Sequence, residues 1–382
     1  MSESGGRIEK RNIKIGVSAF CIVLVVCMIT LKPWLPRALY HNFATIYDYR
    51  FFENRAVRAG GGKTPLPVSE KHLPGPGAEL SALLDQLQTT ALLVLEDGKI
   101  VYESYQLDGG QEVLSGSFSM AKSIVALLAG VAKQEGRIGS LEDPLQRYLP
   151  EWEGRDEGKV SLRQLLSMTG GFNWEESYWN PFSITTEAYY GSDLLRTALK
   201  QRLIHPAGTR FSYQSGTTQL LGMVVSRATN RPLAEYASEK LWGPLQAETD
   251  ALWSLDRPEG MEKAYCCFNA KARDFSRIGE MVRLGGKWGG RQVVEEPFIR
   301  EMTRAHGVPN LEDQPVQYYG FQWWVLNTPQ GVVPYARGIL GQYIAVIPHR
   351  NRVLVRLGKK TGERSDHHPV ELRGLVDWAS RP

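Results

Sequence analysis

Residues 117–131 read SFSMAKSIVALLAGV. A serine and a lysine three residues apart, Ser119 and Lys122, stand at the mouth of an unbroken apolar run, Ile124 to Val131. On a helix, positions i and i+3 share a face, so the Lys122 amine reaches the Ser119 hydroxyl. A serine hydroxyl attacks poorly until a base takes its proton. A lysine is such a base when burial holds its ammonium below the usual range. The apolar run, hydrophobic on all sides, predicts a buried helix and so supplies that burial. A nucleophile at a helix N-terminus also gains from oriented backbone N–H groups.

The flanking sequence predicts what carries this helix. Residues 78–87, AELSALLDQL, have apolar side chains at helical spacing and open the folded body. Residues 91–105, ALLVLEDGKIVYESY, are two apolar runs around Asp97-Gly98, a strong hairpin signal. From about Gln134 to Tyr265 the pattern is mostly helical. Strand patterns return at 320–326 (GFQWWVL), 342–347 (QYIAVI) and 352–357 (RVLVRL), and a closing helix spans roughly 369–380. Strands at both ends with helices between predict an α/β (α+β) domain over 78–382. Its antiparallel sheet is built from both chain ends and flanked by helices, with a helical subdomain inserted at about 134–265. Adjacent Trp323 and Trp324 point to opposite faces of their strand, one to the site and one to the core.

A second polar turn, PAGTRFSYQSG at 206–216, precedes another apolar helix. Its Tyr213, if folded beside Ser119 and Lys122, relays a proton to a leaving group. Other chemistries lack support. There is no HExxH and no G-x-S-x-G. Ser365-Asp366-His367-His368-Pro369 has adjacent histidines with no further ligand cluster, so neither metal nor cofactor is expected. Of four cysteines, Cys21 and Cys27 lie in an apolar stretch and Cys266 and Cys267 are neighbours. Neighbouring cysteines rarely bridge, so the body is expected to manage without disulfides.

Lys and Arg number 45 against 41 Asp and Glu, a net charge of +4 with no basic stripe, which implies no nucleic-acid partner. Residues 15–31, IGVSAFCIVLVVCMITL, carry no charge and follow Arg7, Lys10, Arg11 and Lys14. Seventeen residues at 1.5 Å each span about 25 Å, the short end of a membrane helix. No small-residue cleavage site follows, which favours an uncleaved anchor over a signal peptide. The expected plan is a cytoplasmic tail (1–14), a transmembrane anchor (15–35) and a connecting arm (36–77), with the body exported as a single-pass cell-membrane protein facing the periplasm or exterior. Within the arm, Tyr47 to Phe52 offers a segment able to dock on the body.

Four stretches in order resemble the serine β-lactamase and penicillin-binding-protein superfamily, in its class C and esterase branch and most of all the nylon-oligomer (6-aminohexanoate-dimer) hydrolases. They are Ser117-Phe118-Ser119-Met120-Ala121-Lys122-Ser123, Leu165-Leu166-Ser167-Met168-Thr169-Gly170-Gly171, Phe211-Ser212-Tyr213-Gln214-Ser215-Gly216 and Ala272-Arg273-Asp274-Phe275-Ser276-Arg277-Ile278-Gly279. Gly338 to Tyr343, with Pro348, resembles the last active-site strand. The resemblance implies a β-lactamase/transpeptidase-like fold and an acyl-enzyme on Ser119, with Lys122 as its base and Tyr213 and Ser215 in the Tyr-x-Asn/Ser element. It further implies an oxyanion hole from the Ser119 N–H and one near Gly341-Gln342, and an amide-holding tyrosine at Tyr178 after the acidic pair Glu175-Glu176. The Lys-Thr-Gly strand is missing. Ala336-Arg337-Gly338 and Ile339-Leu340-Gly341 compete for its register, and Arg337 is a substitute cation. The expectation is a serine hydrolase of small ester or amide substrates rather than a true β-lactamase. A penicillin-binding DD-peptidase or β-lactamase and, from another class, a catalytically silent cell-envelope binding protein are the alternatives.

Overall fold

The computed structural model describes residues 30, 32–62 and 64–382. The expected anchor at 15–35 lies outside the described residues for most of its length. No helix among the described residues is long and apolar enough to cross a membrane.

Six strands form the main sheet: β1 (Thr89–Glu96), β2 (Lys99–Tyr105), β3 (Trp324–Thr328), β4 (Gly331–Gly338), β5 (Gln342–Ile347) and β6 (Arg352–Gly358). Their order is β2-β1-β6-β5-β4-β3, with every neighbouring pair antiparallel. The two chain ends meet at the β1–β6 pair, where Val94 faces Leu354, as the sequence predicts. Asp97 and Gly98 close the β1–β2 hairpin with φ of 49° and 76°, the conformation that matches strand twist in a two-residue turn.

Both faces of this sheet are buried. Leu93, Leu95, Ile344, Val346, Val353 and Val355 enter one core, while Leu92, Val94, Ala345, Ile347 and Leu354 enter another. The two-residue period of a strand sorts them. Helix α2 (Ala78–Gln86) and the closing helix α6 (Val370–Ala379) cover the second face. Helix α5 (Ala272–Arg283) lies on the first, so close at Gly279 that a Cβ there would stand 2.5 Å from Val353 and 2.8 Å from Ile344. Glycine is what permits that approach.

Helix α3 (Met120–Gln134) begins immediately after Ser119 and is buried from Met120 through Ala132. It packs against α4 (Ser215–Thr229), which is likewise buried from Ser215 through Val225. The 134–265 region is largely helical, and it adds something the sequence reading omits. A small sheet joins Asn54–Val57, Ala251–Ser254, Phe268–Ala270 and Ser115–Gly116.

Through that sheet the 36–77 arm is packed onto the body. Helix α1 (Leu35–His41) is pinned through Trp34, Leu35 and Ala38, and the 54–57 strand pairs with 251–254, Ala56 opposite Leu252. The Tyr47–Phe52 stretch does dock: the Asp48 carboxylate accepts from Tyr189 Oη at 2.7 Å. The expectation of no disulfide is corrected, since Cys266 and Cys267 are bonded to each other. Their turn is fixed from outside. Trp253 Nε1 donates to the Cys266 carbonyl at 3.2 Å, Asn269 Nδ2 donates to the Cys267 carbonyl at 2.8 Å, and Cys267 takes a φ of 69°.

Candidate active site

The turn before α3 delivers Ser119 to the helix N-terminus. Phe118 there adopts φ 44°, and Ser117 N–H donates to the Phe268 carbonyl at 2.8 Å. Lys122, one turn along, is 1% exposed. Its Nζ has three acceptors: Ser119 Oγ at 2.9 Å, Ser215 Oγ at 3.0 Å and the Tyr265 carbonyl at 3.0 Å. Burial pulls Lys122 down to about 8, and the Glu176 carboxylate opposes that fall. An ammonium fills all three acceptors. The neutral amine gives up one donor and gains a lone pair, which makes it a base beside a hydroxyl.

Tyr213 precedes α4 by two residues. Its hydroxyl is within hydrogen-bonding reach of Ser119, and its ring lies 5.1 Å from Lys122 Nζ. Burial raises the phenol well above its ordinary value, with Glu176 adding to the rise, so Tyr213 is neutral and can donate. The sequence-predicted trio of Ser119, Lys122 and Tyr213 is therefore one cluster, and Ser215 completes it.

Glu176 is the residue that sequence reasoning missed. Its Oε2 accepts from Ser215 N–H at 2.6 Å and its Oε1 accepts from Ser215 Oγ at 2.6 Å. A carboxylate at the first turn of a helix satisfies an orphan N–H and meets the positive end of the dipole. Because Ser215 donates to Glu176, its oxygen lone pairs face Lys122. Tyr178 Oη also donates to Glu176 Oε1, at 2.5 Å. Tyr178 is 41% exposed overall, with its hydroxyl in the site and its ring at the entrance.

The strand beside Ser119 is the end of β4. A Cβ on Gly338 would lie 2.1 Å from the Ser117 carbonyl and 3.2 Å from Phe118 Cβ, so only glycine fits there. Gly341 and Gln342, the residues expected at this strand, make contacts of their own. A Cβ on Gly341 would collide with Arg356, and Gln342 bonds Gly358 with both ends of its amide, Nε2 to the carbonyl at 2.6 Å and Oε1 from the N–H at 3.2 Å. Leu340, φ 62°, turns the chain from β4 into β5, where Gln342 pairs with Gly338. Ala336-Arg337-Gly338 is thus the segment in the active-site register.

Arg337 lies over Trp324, 3.8 Å from its ring centre, and Trp324 stands 5.4 Å from the Tyr213 ring. Trp323 turns into the core on the other face, as the strand pattern predicts. Arg364 comes in from the 364–369 hairpin, where burial and the nearby Arg337 lower it. Both guanidiniums act on Tyr213, and neither has a carboxylate partner among the described residues.

The match to the Beta-lactamase family model runs over residues 79–375, from α2 to α6 and through every residue of this cluster. The chain belongs to the beta-lactamase family. A 6-aminohexanoate-dimer hydrolase of Paenarthrobacter ureafaciens is 28% identical over 320 residues, covering 78% of this chain and 80% of that protein. Among solved structures, a candidate 6-aminohexanoate-dimer hydrolase from Bacillus anthracis superposes with a TM-score of 0.77 at 22% identity, covering 88% of this chain and 92% of that one. A family VIII carboxylesterase gives 0.62 at 16% identity, covering 80% and 98%. At these identities the two structures speak for the fold. Members of this beta-lactamase family are hydrolases of amide and ester bonds, and the present chain is a serine hydrolase.

Proposed function

We propose that the protein hydrolyses small ester or amide substrates through an acyl-enzyme on Ser119. Neutral Lys122 takes the Ser119 proton as Oγ bonds to the substrate carbonyl carbon. The carbonyl oxygen becomes an oxyanion, held by the N–H groups of Ser119 and Ile339, the latter following Gly338 at the strand end. Two such donors lower the barrier by several kcal/mol, about 3 each. The leaving group departs with a proton from Tyr213, which recovers one from Lys122. Water then attacks the acyl carbon, gives a proton to the same relay, and frees Ser119. No metal or cofactor enters any step.

One observation carries this reading: Lys122, fully buried and pulled down to about 8, lies 2.9 Å from Ser119 Oγ. A lysine kept only for structure has no reason to share a hydroxyl with a neutral phenol at a helix mouth. Arg337 and Arg364, which have no carboxylate partner among the described residues, favour substrates that bear a carboxylate near the scissile bond, whether a linear amide or a peptide. The uncharged run at 15–31 supports a membrane anchor for the body.

The test uses the full chain in detergent. Turnover of a short p-nitrophenyl ester is followed with an initial burst, and Ser119 is examined for an acyl adduct by mass spectrometry. A burst and an adduct, both abolished in Ser119→Ala, are expected. Folded wild type with neither would leave the silent binding protein as the better reading, and labelling by a fluorescent penicillin would favour the DD-peptidase.

A further inference from the structure

The loop that brings Glu176 and Tyr178 into the site continues directly onto an exposed apolar surface. Trp179 is 79% exposed and Phe182 50%, and across from them Leu39, Tyr40 and Phe43 are 64%, 84% and 56% exposed. Single exposed apolar side chains are ordinary, whereas a contiguous group marks a contact surface. Here the two segments touch. Phe43 and Trp179 meet edge to face at 5.2 Å, and Lys32 Nζ lies 5.5 Å from the Phe182 ring.

The surface is held in place. Trp34 Nε1 donates to the Pro181 carbonyl at 3.3 Å, and His41 stacks on Phe51 at 3.7 Å. Within the loop, Ser183 Oγ donates to the Ser177 carbonyl at 2.9 Å and Thr186 Oγ1 to the Asn180 carbonyl at 2.8 Å. The apolar side chains are thus displayed by anchored backbone.

What covers this surface follows from where the chain enters it. The uncharged stretch 15–31 ends one residue before Lys32. Tyrosine, tryptophan and lysine beside such a stretch belong at the headgroup layer, where an apolar ring and a polar tip are both satisfied. We infer that the patch of Leu39, Tyr40, Phe43, Trp179 and Phe182 sits in the headgroup layer of a lipid bilayer, so that the site opens at the membrane surface. This rests on the anchor reading and goes beyond it. An anchor with a free body lets the site face anywhere, whereas this patch fixes the mouth beside the lipid. Amphiphilic esters and amides dissolved in the bilayer are then the substrates within reach.

The experiment takes the full chain, with Cys21 and Cys27 changed to Ala, reconstituted in vesicles of phosphatidylcholine and phosphatidylglycerol. An environment-sensitive NBD label is placed on Phe43→Cys or Trp179→Cys, and on Glu79→Cys of α2 as reference. Ester turnover in each sample reports that the fold is intact. Blue-shifted emission, quenched by doxyl-labelled lipid at 43 and 179 and not at 79, is expected. Water-exposed emission at all three positions, in protein that floats with the vesicles, overturns the patch and leaves the anchor standing. Protein that does not float with vesicles overturns both. A blue shift that ignores doxyl lipid and fades as protein is diluted assigns the patch to a second copy of this chain, and overturns the bilayer as its occupant.

Discussion

Glu176 grips Ser215 twice, at the backbone N–H and at Oγ, both at 2.6 Å. That double contact orients the Ser215 hydroxyl away from Lys122, so Lys122 meets an acceptor rather than a competing donor. Glu176→Gln keeps the side-chain volume but leaves one oxygen for three donors, the Ser215 N–H, the Ser215 hydroxyl and the Tyr178 hydroxyl, and its amide N–H₂ faces at least one of them. A lost hydrogen bond to a charged group is worth about 1.5–3 kcal/mol, or about 10–100-fold in kcat/KM. Steady-state hydrolysis of a p-nitrophenyl ester checks it, with an intact thermal transition as the control for folding. Unchanged kcat/KM in Glu176→Gln would reduce the carboxylate to a helix cap.

The same carboxylate gives the pH profile its position. Lys122 must be neutral to act, and burial brings it down to about 8 while Glu176 holds it up. Wild-type kcat/KM is expected to rise with pH through a single ionisation near 8. In Glu176→Gln the ammonium loses its favourable neighbour, so the rise moves to lower pH. Tyr213 is held above its ordinary value and stays protonated, so no fall is expected near the reference tyrosine value of about 10. A rise centred at the histidine reference of about 6.5, unmoved by the substitution, would remove Lys122 from the role of base.

Local signals in the chain are the ones that read correctly. Asp97-Gly98 and the all-apolar helix after Lys122 depend on turn chemistry and on burial of a single element, and Ser119 reaches Lys122 within one helical turn. The contact of Tyr213 with Ser119 is non-local and is legible only through resemblance. Glu176 escapes because a pair of adjacent glutamates reads as solvated surface, and its partner Ser215 lies 39 residues away. The register at Gly341 and Gln342 is ambiguous in the sequence for a subtler reason. Gly338 and Gly341 both end a three-residue segment that fits the strand, and only the left-handed turn at Leu340, with Arg356 behind it, separates them. The strand at 54–57 is hidden because its partner, 251–254, is distant in sequence and its own residues lack an apolar pattern.

Arg337 tests the substrate class. It lies over Trp324 beside Tyr213 and donates to the His367 carbonyl at 3.0 Å. Arg337→Gln is expected to raise KM about 10-fold for an ester carrying a free carboxylate, the loss of one charge-assisted contact, and to leave a neutral ester of equal length unaffected. Equal effects on both esters would place Arg337 outside substrate recognition.

A second buried lysine makes a stability prediction. Lys263 is 0% exposed, donates to the Ala188 carbonyl at a long 3.5 Å, and is brought down to about 7 by burial. Below pH 7 it is charged in both folded and unfolded chains and carries its full desolvation cost when folded. Between 7 and the reference value of 10.5 only the unfolded chain holds the proton, so the folded state gains stability as pH rises. Lys263→Met removes the cost. It is expected to stabilise the protein by roughly 2–4 kcal/mol at pH 6, with the gain shrinking steadily above pH 7. Urea titrations of both proteins at pH 6 and 9 measure this, and a gain independent of pH would attribute it to packing alone.

The Cys266–Cys267 bond bears on catalysis through the residue before it. The Tyr265 carbonyl is one of the three acceptors around Lys122, and the bonded pair closes the turn that aims it. Both cysteines are buried, 4% and 6% exposed, so a reductant must reach them through an opened loop and its action will be slow. Once reduced, the turn gains backbone freedom and the carbonyl is held less firmly against the lysine. The expected result is a fall in kcat of about 5–10-fold, the value of one neutral hydrogen bond, with KM little changed. Cys266→Ser/Cys267→Ser should match the reduced wild type and show no further response to dithiothreitol. Full kcat in protein shown by mass spectrometry to be reduced would mean that the bonds from Trp253 and Asn269 hold the turn without help from the disulfide.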